Sequence, residues 1–148
     1  MHHATISKIS EPLDFCLGLL KAGAALSRRF DGRLGGFHGI SFSDFHVLLQ
    51  MSRAPGGRLR RVDLAAQLGL TPSAVTRTLI PLEKIGLVTR QTDPHDARAG
   101  YAVLTKSGQR VLREALVTAE QASQESVPRD VAAHLAPLSE VLSRLVGG

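Results

Sequence analysis

Along the first part of the chain, apolar residues recur at helical spacing on two faces at once. Leu13, Cys16, Leu17, Leu20 and Ala24 form one stripe, and Phe15, Leu19, Ala22, Leu26 and Phe30 form a second. The pattern predicts a helix over residues 11–31, capped by Ser10, with Pro12 in the first turn where its missing N–H has no intrahelical partner to lose. A helix that is apolar on two sides must be covered on two sides, and in so short a chain a second subunit is a plausible cover. The stretch Gly32, Gly35, Gly36 and Gly39 is expected to break this helix. Ser41 opens a second helix, with Asp44 three residues on as in a capping box, and Phe42, Phe45, Leu48 and Leu49 supply its core face. Ala54-Pro55-Gly56-Gly57 is a turn, and Arg58-Leu59-Arg60 is a short strand able to pair with a later hairpin.

Two short helices follow. Val62, Leu64, Ala65 and Leu68 mark the first, stopped by Gly69, and Thr71-Pro72 opens the next with a side-chain cap and a proline at the first helical position. This helix is expected to run to about Ile85, with Ala74, Val75, Leu79, Leu82 and Ile85 inward and Ser73, Thr76, Arg77 and Thr78 near its outer face. Pro81 inside it removes one backbone hydrogen bond and predicts a bend. Leu87–Gln91 and Gly100–Leu104 read as two strands joined by a loop over residues 92–99. Thr105 caps a long helix to about Ser126, with Val111, Leu112, Ala115, Leu116, Ala119 and Ala122 on one side, and Pro128 ends it. A last helix places Val131, Leu135, Leu138, Leu142 and Leu145 on a narrow seam, the pattern of helix-on-helix packing.

The whole reads as mainly α with a small β-wing, one domain over residues 1–148. Charge sharpens that picture. The net charge is +5, but residues 53–113 hold 11 basic against 4 acidic side chains, and the flanks together carry −2. A basic middle between neutral and acidic ends suggests a polyanion-binding face; a merely solvated charged surface is the alternative. The single cysteine excludes an intramolecular disulfide and any multi-cysteine zinc site. No apolar stretch is long enough to span a bilayer, and no basic-then-apolar leader opens the chain, so a cytoplasmic protein with no membrane partner is expected.

Residues 62–86 form helix, short turn and helix, the arrangement in which the second helix enters the major groove of double-stranded DNA. Ser73 and Thr76 offer short hydroxyls, Thr78 lies beside them, and Arg77 can pair bidentately with guanine O6 and N7. Thr71-Pro72 leaves backbone N–H groups at a helix N-terminus, a natural phosphate contact. A β-ribbon directly afterwards, carrying Arg98, can place a guanidinium in the adjacent minor groove. Asp96 is expected to brace Arg77 or Arg98, whereas Asp93, before Pro94, is assigned to the turn itself. The competing reading is a helical hairpin with a protein-binding surface.

The order Leu64-Ala65-x-x-Leu68-Gly69-Leu70-Thr71-x-Ser73-Ala74-Val75-Thr76-Arg77, then Leu82-Glu83-x-x-Gly86-Leu87-Val88-x-Arg90, resembles the MarR (multiple antibiotic resistance regulator) family. Asp96-x-Arg98 followed by Val103-Leu104-Thr105-x-x-Gly108 resembles it too, so the match covers about residues 40–115. The resemblance implies a winged helix-turn-helix core (residues 41–105) flanked by dimerisation helices (11–31 and 106–146). It also implies a homodimer that represses or activates transcription, with DNA affinity altered by small ligands or oxidants. By the match, Ser73, Thr76 and Arg77 fall on the major-groove face, Arg98 at the wing tip and Asp96 on the bracing acid. Ala97 departs from the pattern, since a second basic residue often stands between the wing Asp and Arg.

For regulation, Cys16 sits where a hydroperoxide-sensing branch of that family carries a reactive cysteine early in the first helix. It lacks an adjacent basic residue and shares a stripe with leucines, so a buried core cysteine is expected, with redox sensing as the alternative. A small aromatic or apolar acid is a further effector candidate, with Arg28 or His46 contacting its carboxylate. His38, His46 and His134 are scattered, with no metal-ligand spacing. No cofactor is implied, and no phosphate loop, nucleophile elbow or paired-carboxylate motif supports an enzyme.

Overall fold

The computed structural model describes residues 5–147, with the side chains of residues 97–99 outside the description. The described elements are α1 (Glu11–His38), α2 (Phe42–Arg53), a 3-10 turn (Pro55–Gly57), β1 (Arg58–Arg60), α3 (Arg61–Leu68), α4 (Pro72–Lys84), β2 (Val88–Asp93), β3 (Asp96–Leu104), α5 (Lys106–Ser126), α6 (Arg129–Ala132) and α7 (Leu135–Gly147). The strands form one antiparallel sheet in the order β1-β3-β2. Mainly α with a small β-wing is the fold observed.

The core joins α2, α3, α4, the sheet and the middle of α5. Leu48, Met51, Leu64, Val75, Leu82 and Val88 are fully buried, with Leu79, Ala102, Leu104, Leu112 and Ala115 around them. Caps set the frame of the helices. Ser41 and Asp44 satisfy each other's backbone N–H at 3.0 and 2.9 Å, the reciprocal capping box that the sequence predicts. Thr105 Oγ1 accepts the Gly108 N–H at 3.0 Å and lies 2.7 Å from the Gly86 carbonyl oxygen as donor, tying the start of α5 to the end of α4.

Helix α1 is longer than its sequence predicts. It continues through Gly32, Gly35 and Gly36 and stops only at Gly39, whose φ of 67° is the left-handed conformation open to glycine. Each glycine costs a helix about 1 kcal/mol relative to alanine. Tertiary contacts outweigh that here. Leu34 is fully buried, Phe30 packs on Phe42 at 5.2 Å between ring centroids, and the His38 ring lies 2.7 Å from the hydroxyl of Thr118 on α5.

Four other expectations are corrected. Ile85 is 63% exposed because α4 ends in a Schellman turn, Leu87 N–H to Leu82 O and Gly86 N–H to Glu83 O, which turns Ile85 outward and lets Leu87 fill the core instead. Val62, in the first turn of α3, is also exposed and borders the start of α4. The β-ribbon reaches further than expected, leaving only Pro94-His95 between the strands. There Asp93 Oδ1 accepts the His95 N–H at 2.8 Å and closes the turn. The C-terminal seam is interrupted, with Val131 on α6 and Leu135, Leu138, Leu142 and Leu145 on α7. Pro137 accounts for the break, since it is tolerated in the first turn of α7 but not inside one continuous helix.

The flanking helices are poorly covered by their own chain. Residues 11–24 are exposed throughout, and so is all of α7. Cys16 is therefore exposed rather than a core residue, and Leu13, Leu17 and Leu20 of its stripe are exposed with it. No helix among the described residues is long and apolar enough to cross a membrane.

Candidate nucleic-acid interface

Helices α3 and α4 meet across a turn at Gly69, whose φ of 66° lets the Leu70 N–H return to the Ala65 carbonyl at 2.9 Å. Thr71 Oγ1 accepts the Ala74 N–H at 3.2 Å and Pro72 takes the first helical position. Ser73 and Arg77 are exposed and stand four residues apart, one turn along the same face. Arg77 forms no ion pair among the described residues. The two threonines differ from Ser73. Thr76 and Thr78 are half-buried, and their hydroxyls donate back to the Pro72 and Ala74 carbonyls at 3.0 and 3.1 Å. That bonding leaves each hydroxyl as an acceptor, and one lone pair of Thr76 already faces Arg61 Nη1 at 3.4 Å.

The wing follows at once. Arg98 belongs to β3, but its side chain lies outside the described residues, so the position of its guanidinium does too. Asp96 opens the same strand. The partner it would brace, Arg77 or Arg98, is taken up below with the proposed function.

On the outer face of the sheet lies a cluster that sequence reasoning missed. Arg60 stands opposite Tyr101 and Arg58 two residues before it, so both point to one face. The Arg58 guanidinium lies 4.6 Å from the Tyr101 ring centroid and that of Arg60 5.4 Å, a cation–π arrangement on both counts. Arg58 also donates to Gln91 at 3.2 Å and Arg60 to Asp93 at 3.3 Å. Asp93 thus closes the wing turn and anchors it to β1, adding to the role its place before Pro94 suggests. The hydrogen bond and charge of Tyr101, then of Asp93 and Asp63, push the Arg60 pKa further up. Arginine is charged at any accessible pH, so the geometry matters more than the shift. The signal in the sequence was the alternation Arg58-x-Arg60, which puts two cations on one side of a strand.

Between α4 and the wing lies a cleft of about 210 Å³, bordered by Arg61, Glu83, Arg90, Gly100 and Tyr101 among others. Arg90 Nε donates to both carboxylate oxygens of Glu83, at 2.8 and 3.0 Å.

The proposed effector residues are not brought together. Arg28 borders an open groove between α1 and α5 with Arg29, Arg33 and Glu125, and Arg33 pairs with Glu125. His46 lies instead on α2 against Phe42, 5.5 Å between ring centroids, where burial lowers its pKa. No group of histidine, cysteine and carboxylate side chains able to hold a metal occurs among the described residues.

A helix-turn-helix followed by an antiparallel ribbon, its sheet completed by a strand between the first core helices, defines the winged helix-turn-helix class. The MarR family model matches residues 38–99. The crystal structure of the transcriptional regulator BldR from Sulfolobus solfataricus is 31% identical, covers 94% of this chain and 99% of its own, and superposes with a TM-score of 0.78. Two further neighbours share the fold at lower identity. A MarR family transcriptional regulator from Streptomyces coelicolor, solved in complex with DNA, is 24% identical over 92% of this chain and 91% of its own, with a TM-score of 0.79. A mutant MarR from E. coli, complexed with operator DNA, is 23% identical over 91% of this chain and 94% of its own, with a TM-score of 0.75. No curated protein sequence matches significantly. The chain belongs to the MarR family of transcriptional regulators.

Proposed function

We propose that the protein is a sequence-specific DNA-binding repressor that acts as a homodimer on a pseudo-palindromic operator. The observation that carries this reading is the exposed Ser73–Arg77 face of α4, with no acid paired to Arg77 among the described residues, in the part of the chain that holds the basic excess. Arg77 would read a guanine in the major groove, Ser73 and Thr76 would contact neighbouring base edges or phosphates, and Thr71 would present the start of α4 to the backbone. Thr78 would be a weaker contributor, since it is half-buried. Arg98 would enter the flanking minor groove with Asp96 as its brace.

Dimerisation accounts for the uncovered helices. Leu13, Phe15, Leu17 and Leu20 of α1 and Leu135, Leu138, Leu142 and Leu145 of α7 are all exposed in one chain. So large an apolar surface on a single protomer supports an interface there. Two α4 helices related by a twofold axis would then meet half-sites about one helical turn apart. Cys16 would sit within this interface, which disfavours the redox alternative. An acidic effector is supported by the arginines of the α1–α5 groove and therefore by Arg28, whereas His46 lies elsewhere.

The test is selection of binding sites from random duplexes by the purified protein, followed by anisotropy titrations over a salt series. A selected palindrome bound with a steep loss of affinity at high salt is expected. Absence of an enriched site, or binding indifferent to salt, would favour the protein-interaction alternative.

A further inference from the structure

We infer that the cleft between α4 and the wing binds a single phosphodiester of the DNA strand that separates the two grooves, with Arg61 as its principal donor. The inference rests on the DNA-binding reading above and adds a site to it. An element in the major groove and a ribbon in the adjacent minor groove must straddle the phosphate ridge between them. The cleft occupies the corresponding position in the protein, with α4 on one side and β2 and β3 on the other.

Its chemistry suits an anion. Arg61, the first residue of α3, borders both this cleft and the groove at the start of α4. Its hydrogen bond is the long one to Thr76, at 3.4 Å, and no carboxylate pairs with it among the described residues. Arg90 contributes from β2. Glu83 holds it at Nε, and the fork of a guanidinium keeps its Nη groups for a second acceptor. Glu83 is thus a positioning residue. Gly100 has no atom within 4 Å of where a side chain would begin, so the wing side of the cleft stays open. The two arginines of β1 are already engaged, Arg60 with Asp93 and Arg58 with Gln91. The same donors could accept free inorganic phosphate, and the experiment separates the two sources.

The full-length protein is titrated against its selected operator and a scrambled duplex over a salt series, as parent, Arg61→Gln and Arg61→Lys. Arg61→Gln should weaken both duplexes by the same factor, roughly 5- to 10-fold per half-site, and reduce the salt slope by about 0.9 for each phosphate lost. Arg61→Lys should restore most of the slope. A scan of operators carrying one uncharged methylphosphonate each should reveal a position per half-site, between the base-read step and the wing-contacted flank, that weakens the parent but not Arg61→Gln. A parental salt slope in Arg61→Gln, or no position at which the variant loses sensitivity, overturns the inference while leaving DNA binding intact. Inorganic phosphate that binds the free protein through Arg61 yet does not compete with the operator beyond chloride at matched ionic strength overturns it in favour of a free-anion site. A parent that binds neither duplex overturns both readings.

Discussion

Gly108 is the position where one methyl group should do most damage. It lies in the first turn of α5, where the helix passes directly over the start of β2. A Cβ there would overlap the backbone carbonyl of Leu87 and lie 2.7 Å from Leu104 Cδ1. The Leu104 side chain can rotate, but the carbonyl cannot give way freely. It accepts from the Thr105 N–H at 3.1 Å and faces the Thr105 hydroxyl at 3.0 Å. Gly108→Ala therefore has two opposed terms. Alanine favours the helix by about 1 kcal/mol. Overpacking against a fixed group costs about 1–3 kcal/mol, and disturbing the Thr105 cap adds about 1 kcal/mol. The overlap is with backbone, so the steric term belongs near the top of its range, and the net expectation is a loss of about 1–3 kcal/mol. For a chain of this size that lowers the melting temperature by roughly 3–10 °C. Urea unfolding followed by circular dichroism, at one fixed protein concentration, measures it. A variant as stable as the parent would mean that α5 and β2 do not approach as closely as described, and would refute the reasoning.

Three further outcomes are expected. Arg77→Ala should lose about 1–3 kcal/mol of operator affinity and relax specificity at one base pair; equal loss on operator and scrambled DNA would identify it as a phosphate contact instead. Leu138→Lys with Leu142→Lys should give a monomer by light scattering with far weaker operator binding, and a dimer that still binds would remove α7 from the interface. Burial lowers the pKa of His46, so the unfolded chain takes up its proton at a higher pH than the folded one. Stability should accordingly be full above the ordinary histidine value of about 6.5 and fall as pH drops from there toward the lowered value. His46→Gln should flatten that fall in urea midpoints, and an unchanged pH profile would assign it to other groups.

Local chemistry was legible wherever one residue type has a single good use. Ser41 with Asp44, Thr71 with Pro72, Gly69 and Thr105 mark helix ends through bonds to neighbours three or four residues away, and the structure has those bonds. The order of elements, the helix-turn-helix and the ribbon all follow from such signals. So does the outward placement of Ser73 and Arg77, because helical period alone assigns their face.

Other features depended on partners distant in sequence. The glycines of α1 argue for a break, but Leu34 in the core, Phe30 on Phe42 and the contacts of His38 and Arg33 with α5 hold the helix intact to His38. Ile85 has the period of a core residue, but the Schellman turn gives its place to Leu87. Tyr101 gives no sign in the sequence that it gathers Arg58 and Arg60, since strand register brings residues about forty positions apart to one face. Cys16 and its neighbouring leucines show the limit most clearly. Their spacing states that they must be covered, and the sequence determined that much. The fold decided that their own chain does not cover them, because α2 through α5 satisfy one another around a core that leaves residues 11–24 outside.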